Sequence, residues 1–378
     1  MDFSLTEDQK AIAEMAGGVF RDYCTDERLR EFDLSGKPFM AELWGTCIQT
    51  GLLALAIPEA VGGSGLGMTE LMGVLQAQGA GLGQVPLWQH QLGTAALARW
   101  GDESLHGLLE ELAAGTRLLS LSLNGSADSH GIGLRLSRSE RGLQLDGTIN
   151  AVPLAGHTCR LLLLAEGEEG AQLVLIQPRA SGVSLTPGVY THGLAVADVQ
   201  CDAVAVEEAH VLPVAATAWL EQRAIAALAA LQVGVSEEQI RRTVEYVNER
   251  RQFDRAIGTF QAVQMTMADC RIAVEALRTS LYQLCYRLDN DLGCDSEALA
   301  TRWLTCETGH LVGHKTQHVH GGIGVDLTYP IHRFLYWSRD LSHGLGGSAA
   351  SLERLGDWLA NNDKLGWKYD LEENQSIR

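Results

Sequence analysis

The 378-residue chain has no run of 18 apolar residues, so no segment is expected to cross a membrane. It has no excess of basic charge. The net charge of −18 argues against nucleic acid or an anionic lipid surface as a partner. Its eight cysteines include no C-x-x-C pair, and several stand in helical or apolar stretches, as small buried residues do. The N-terminus lacks a basic segment followed by an apolar one, so no export signal is expected, and a reduced, cytoplasmic setting fits best. No glycine-rich dinucleotide fingerprint follows a strand: Gly344-Leu-Gly346-Gly347 approaches the form without a βαβ unit around it. There is no G-x-S-x-G elbow and no H-E-x-x-H. His310, His314 and His318 repeat every four residues, but no carboxylate stands at a useful offset, so helix packing explains them better than a metal.

What is present is an ordinary globular composition, 46% apolar and 20% charged, long enough for two or three domains. The periodicity changes twice. Residues 4 to about 116 read as helical: Ser4-Leu-Thr-Glu7 has the form of a capping box opening a helix from Glu7 to about Tyr23, and Trp44, Ile48, Leu52 and Leu53 recur at helical spacing. Pro58 to Gly67 is a glycine-rich loop, a helix starts at Thr69, and another pattern runs from Leu105 to Ala114 with a stop at Gly115. Between about Leu118 and Val214 short alternating or apolar runs (134–138, 143–147, 160–165, 172–177, 196–206) indicate a small antiparallel sheet or barrel. From Ala215 the pattern is helical again, over about 215–249, 258–289, 296–320 and 348–360, before a polar tail from Lys364. The expected class is α+β, with a helical domain over 1–117, a β-barrel domain over 118–214 and a C-terminal four-helix domain over 215–378.

The stretch Arg250-Arg-Gln-Phe-Asp-Arg-Ala-Ile-Gly-Thr-Phe-Gln-Ala-Val-Gln264 joins the two longest helical segments. It gathers three arginines around two aromatic residues. A guanidinium offers phosphate a planar fork of donors, and an adjacent ring can cover an adenine. The plain alternative is a helix hairpin with a solvated basic corner.

This string, R-x-Q-F-x-x-x-I-G-x-F-Q-x-x-Q, resembles the one that acyl-CoA dehydrogenases carry between the first two helices of their C-terminal domain. Two further strings resemble the same family in the same order: Gly51 to Glu59 with Gly62, Gly63 and Gly65, and His318-Val-His-Gly-Gly-Ile-Gly324 with Tyr329-Pro330. The resemblance covers essentially the whole chain. It implies a helical domain, a β-barrel and a four-helix C-terminal domain that drives oligomerisation. It also implies FAD as cofactor, an acyl-CoA thioester as substrate and an electron-transfer flavoprotein as acceptor. In the family the ADP half of FAD is held by the neighbouring subunit. The matching positions here are Arg250, Gln252, Phe253, Ile257, Phe260, Gln261, His318, Gly321 and Gly322. A plain helix cap is the other account of Gly321-Gly322.

Three departures from the family pattern stand against these matches. The T-E-P-G-A-G-S-D string that receives the flavin ring is replaced by Leu123 to His130. The W-I-T-N string that covers the ring is replaced by about Ala151 to Gly156, and no tryptophan lies between Trp100 and Trp219. The catalytic glutamate is missing: Gly346 occupies one family position, and Ala224, 29 residues before Phe253, the other. Glu221 stands about one helical turn off register. The resemblance therefore implies the non-catalytic subunit of an α2β2 acyl-CoA dehydrogenase, of the kind that handles steroid side-chain or pimeloyl-CoA thioesters. The stretch from Leu154 to Leu162 carries a faint likeness to such subunits. The rivals are a homotetramer with a displaced base such as Glu221, a flavin monooxygenase of the same fold, and a structural partner without flavin.

Overall fold

A computed structural model describes residues 4–126, 131–140 and 142–362. Two of the stretches singled out in the sequence lie wholly or partly outside the described residues: Leu123–His130 beyond Ser126, and the polar tail. The chain forms two compact units, each discontinuous in sequence. One combines the chain up to Phe20, Met72–Leu82 and the chain from Ile225 onward; the other combines Arg21–Leu71 with Gly83–Ala224.

The first third supplies α1 (Glu7–Tyr23), α2 (Asp26–Ser35), α3 (Ala41–Gln49), α4 (Met68–Gly81), α5 (Leu87–Trp100) and α6 (His106–Ala113). α1 begins where the sequence places it, but the capping box is Thr6 with Gln9, not Ser4 with Glu7. The Gln9 amide donates to Thr6 Oγ1 at 3.2 Å and the Thr6 amide donates to Gln9 Oε1 at 2.9 Å. The reason is register: the side chain must reach the first free amides of the helix, and Thr6 immediately precedes it.

The middle segment forms β1 (Leu119–Ser122), β2 (Leu134–Ser139), β3 (Gly142–Pro153), β4 (Arg160–Gly167), β5 (Gly170–Ile176), β6 (Val183–Val189) and β7 (Ala195–Val206). They join one sheet in the order β1-β4-β2-β3-β7-β6, with β5 also on β4. Alternation indicated antiparallel neighbours, and most pairs are, but β1 and β2 both run parallel to β4. The β2–β3 hairpin lies between β1 and β4 in sequence and makes the crossover that a parallel pair requires. The run at 196–206 is one long strand that pairs with both β3 and β6. Leu134, Leu145, Ile149, Leu161, Leu163 and Val199 lie in the core of the sheet. β3 carries two register shifts against β7. At each a carboxylate on or opposite the strand takes a backbone N–H: Ala203 donates to Asp146 Oδ1 at 2.7 Å and Ala151 donates to Asp198 Oδ1 at 2.8 Å.

The last segment comprises α7 (Val214–Glu249), a two-stranded ribbon of β8 (Arg251–Gln252) and β9 (Arg255–Ala256), then α8 (Gln261–Asp289), α9 (Asp295–His320), α10 (His332–Gly344) and α11 (Gly347–Ala360). α10 is not among the segments that periodicity indicates. Within this unit α9 packs on α8, α10 and α11. Among the described residues no helix is long and apolar enough to cross a membrane. All eight cysteines are free and all but half-buried Cys159 are buried; burial pushes the Cys24 and Cys47 thiols up to about 12.

Candidate functional site

α7 ends at Glu249, and the chain reverses through the β8–β9 ribbon before α8 begins. Arg251 pairs with Ala256 and Gln252 with Arg255, so the connecting turn is Phe253-Asp254. Both turn residues have positive φ, 54° and 61°. A two-residue hairpin of right-handed twist needs this geometry, and asparagine or glycine normally provides it. Here Phe253 does, with 85% of its surface exposed. The Ile257 amide donates to the Arg250 carbonyl at 2.8 Å and closes the base of the ribbon. Phe260 meets Phe253 edge to face at 6.1 Å, and the Arg255 guanidinium lies 3.9 Å over the Phe260 ring.

The second string arrives from the end of α9. His320 stacks on Tyr246 of α7, centroids 4.3 Å apart, and Tyr329 leans against both rings. Tyr246 stands one turn before Arg250, whose amide donates to the Tyr246 carbonyl at 2.8 Å. Two strings well separated in sequence are thus pinned together by one aromatic stack. Gly321 then turns with φ 64° and ψ −140°, open only to glycine, and a Cβ at Gly321 or Gly322 would meet nothing within 4 Å.

The nine candidate residues fall on these elements. Arg250, Gln252, Phe253, Gln261, His318, Gly321 and Gly322 are exposed, and Ile257 and Phe260 half-buried. Among the described residues the Arg250, Gln252 and Gln261 side chains make no hydrogen bond or ion pair. The result is an exposed corner with a guanidinium, two amides, two aromatic rings and two unobstructed glycines. Such a set fits the ADP half of a dinucleotide: forked donors for pyrophosphate, rings for a base, and backbone open to close approach.

The ring half does not fit in the same way. At the end of β3, Val152, Leu154 and Ala155 turn into the core of the sheet unit, 0%, 1% and 0% exposed. Ala151 and Leu154 both have φ of 51°. Tyr190 Oη donates to the Ala151 carbonyl at 2.8 Å, holding the segment down. Ala151 to Gly156 presents no aromatic face and no side-chain donor.

Neither base position carries a carboxylate. Ala224 is buried within α7, and Gly346, φ 76°, precedes α11. The Leu345 carbonyl beside it accepts from Arg302 Nε at 2.7 Å, and Arg302 is itself only 2% exposed. Sequence reasoning missed Asp340 of α10, whose carboxyl is pushed up to about 7 by burial. His310, His314 and His318 are not packed inside but exposed along α9, with the first two rings 4.5 Å apart. Packing among the described residues therefore does not explain them. Among the described residues no group of three or more side chains could hold a metal.

Comparison with known proteins bears on the whole chain. The family profile "Acyl-CoA dehydrogenase, N-terminal domain" matches residues 6–116, and "Acyl-CoA dehydrogenase, C-terminal domain" matches 213–360. Acyl-CoA dehydrogenase FadE27 of Mycobacterium tuberculosis is 34% identical, over 95% of this chain and 99% of its own length. A chain of the ChsE4-ChsE5 complex from Mycobacterium tuberculosis superposes with a TM-score of 0.91 at 33% identity, covering 96% of this chain and all of that one. A chain of a Tcur3481-Tcur3483 steroid ACAD variant gives 0.88 at 36% identity, covering 94% and 98%. More distant structures with FAD bound, such as PigA at 21% identity, share the fold.

Proposed function

Because the chain belongs to the acyl-CoA dehydrogenase family of oxidoreductases acting on CH–CH bonds, we propose that it is the flavin-sharing subunit of a heteromeric member. It lends the ADP-binding half of an FAD site to a paralogous catalytic chain, and the complex desaturates a bulky acyl-CoA thioester of the steroid side-chain type to its trans-2-enoyl product. Electrons leave to an electron-transfer flavoprotein. The observation that carries this reading is the contrast within one chain: an exposed corner of unpaired donors and rings around Arg250 and Gly321, and no carboxylate at either base position. Support comes from the solved relatives, which are paired complexes, one described as a steroid ACAD.

Arg250 and Gln261 supply donors to the pyrophosphate, the charged one at close to twice the strength of a neutral hydrogen bond. Phe253, Ile257 and Phe260 wall the adenosine, Gln252 and His318 offer polar contacts at its edge, and Gly321 and Gly322 let the backbone come close. When bound, FAD supplies the hydride acceptor, and the partner chain supplies the proton-abstracting carboxylate. This chain contributes binding and orientation.

The test is stoichiometry. A tetramer with two copies of each chain has two sites that pair this chain's ADP corner with a partner's ring pocket. The other two would pair the partner's ADP elements with the apolar Ala151–Gly156 segment. About two FAD per four chains is expected at saturating flavin, from absorbance against protein mass. Four per tetramer would mean that the segment holds a ring, and the subunit would be a dehydrogenase in its own right.

A further inference from the structure

α7 carries an unusual series. Gln232, Ser236, Gln239, Thr243 and Tyr246 follow one another at steps of four and three residues, which keeps them on one face of the helix. That is the spacing at which a buried helix normally places leucine. The first four are 0% exposed. The face is therefore a core face made of polar residues, and it leads to the His320 stack beneath the Gly321-Gly322 turn.

The neighbours of the series are fitted to it. Gln232 Nε2 donates to Ser236 Oγ at 2.8 Å and to Ser338 Oγ of α10 at 3.0 Å. Opposite it, α9 has Gly309, where a Cβ would stand 2.7 Å from Gln232 Oε1, so α9 gives way to the amide. Thr243 Oγ1 donates to the Gln239 carbonyl at 2.7 Å, which leaves its oxygen free to accept. His320 Nδ1 bonds the Thr316 carbonyl at 2.9 Å, so Nδ1 carries the proton and Nε2 is a bare acceptor. Burial holds this imidazole below the usual histidine range and therefore neutral.

Several of these groups have no partner among the described residues: Gln232 Oε1, both ends of the Gln239 amide, and His320 Nε2, with Gln317 Oε1 nearby in sequence. Leaving so many polar atoms unpaired in one core would cost about 1–3 kcal/mol each. We propose that the series is a binding site for a short file of ordered water molecules, running from Gln232 to His320 and giving the Gly321-Gly322 turn a hydrogen-bonded foundation. Successive members lie about 4.5–6 Å apart along the helix axis. Gln232 and Ser236 are bonded directly, and two hydrogen bonds through one water span about 5.6 Å, so one water suits each interval beyond Ser236. Each would find the two to four polar partners that buried water needs. The proposal rests on α7, α9 and α10 alone and holds whether or not the corner binds FAD.

A crystal structure of the chain, alone or with its partner, at a resolution that defines solvent, should show ordered water within hydrogen-bonding reach of the Gln239 amide and His320 Nε2. A seam filled by side chains and free of water density overturns the proposal. Gln239→Leu gives the thermodynamic sign. With water present, the substitution strips the file of its central donor and acceptor, and Tm should fall by roughly 2–6 °C. A higher Tm overturns the proposal, because removing an amide that pairs with nothing relieves a burial cost. Should Gln239→Leu fail to fold, the crystal structure of the unaltered chain still decides.

Discussion

Two segments among the described residues each hold two non-glycine residues in left-handed backbone: Phe253 and Asp254 in the ribbon, and Ala151 and Leu154 at the end of β3. Each such residue costs of order 1–3 kcal/mol unless its surroundings compensate. At β3 the compensation is visible. Leu154 is 1% exposed in the sheet unit, and Tyr190 and Asp198 hold the flanking backbone. In the ribbon only the backbone is held, by Arg251 Nη2 donating to the Asp254 carbonyl at 2.8 Å, while Phe253 is 85% exposed and meets the Phe260 ring only edge to face. The first segment spends its strain on its own core and leaves nothing for a ligand. The second keeps a large ring and unpaired donors facing outward, where a ligand or a second chain would cover them. Within one family fold, that is the difference between a segment closed on itself and one left open to the outside.

The largest expected effect concerns turnover. The chain purified alone should lack acyl-CoA dehydrogenase activity, because losing a positioned base costs about 10²–10⁴-fold. Turnover at rates usual for the family would break the comparison, and Glu221→Gln and Asp340→Asn would then identify which carboxyl had taken over. Next comes Arg250→Ala in the co-purified complex. Losing a charged, forked contact worth roughly 1.5–3 kcal/mol should weaken flavin binding tenfold or more. Arg250→Lys should restore part of it, since an ammonium cannot fork. Flavin content unmoved by Arg250→Ala would leave the exposed corner without its assigned ligand.

Asp340 sharpens the comparison from another side. Its folded-state pKa of about 7 lies above the ordinary carboxyl value near 3.9. The folded chain thus binds more protons than the unfolded one between those values, and this group's contribution declines as pH rises from about 4 to 7, then stays level. Asp340→Asn should raise the melting temperature at pH 8 and change it little at pH 4. A variant less stable at pH 8 would show that the contacts of the ionised carboxyl are worth more than its burial costs.

The layout was legible because periodicity records burial. The shift from helical to alternating patterns between Leu118 and Val214 placed the sheet, and proline-free, alanine-rich 215–249 placed α7. β6 was missed because most of its residues are exposed and it carries Pro187 near an edge. α10 was missed because the glycines and the Tyr329-Pro330 pair before it read as a break between the helical segments at 296–320 and 348–360. The candidate residues were legible through family strings and not through pattern. What no pattern revealed was orientation: that Val152, Leu154 and Ala155 turn inward, that the histidine row of α9 faces outward, and that the polar face of α7 is a core face. Those depend on which neighbour each side chain meets, and the neighbours come from distant parts of the sequence.

The smallest effect tests the comparison most directly, because its sign differs between the two segments. Phe253→Gly replaces a strained residue with one that accepts φ near 54° freely. It loses almost no buried surface, so the strain relieved, about 1–2 kcal/mol, competes with the glycine's added unfolded-state entropy, about 0.5–1 kcal/mol, and with the loss of one exposed edge-to-face contact to Phe260. The chain alone should become slightly more stable, while the complex loses flavin affinity or partner binding. Leu154→Gly relieves the same kind of strain but empties a core position, at a cost of about 2–5 kcal/mol, so the chain should be clearly destabilised. Melting curves of both variants, alone and with the partner, measure the difference. A Phe253→Gly chain that is less stable by itself would mean that the ring already has its partner within this chain, and the outward-facing account of the ribbon would fail with it.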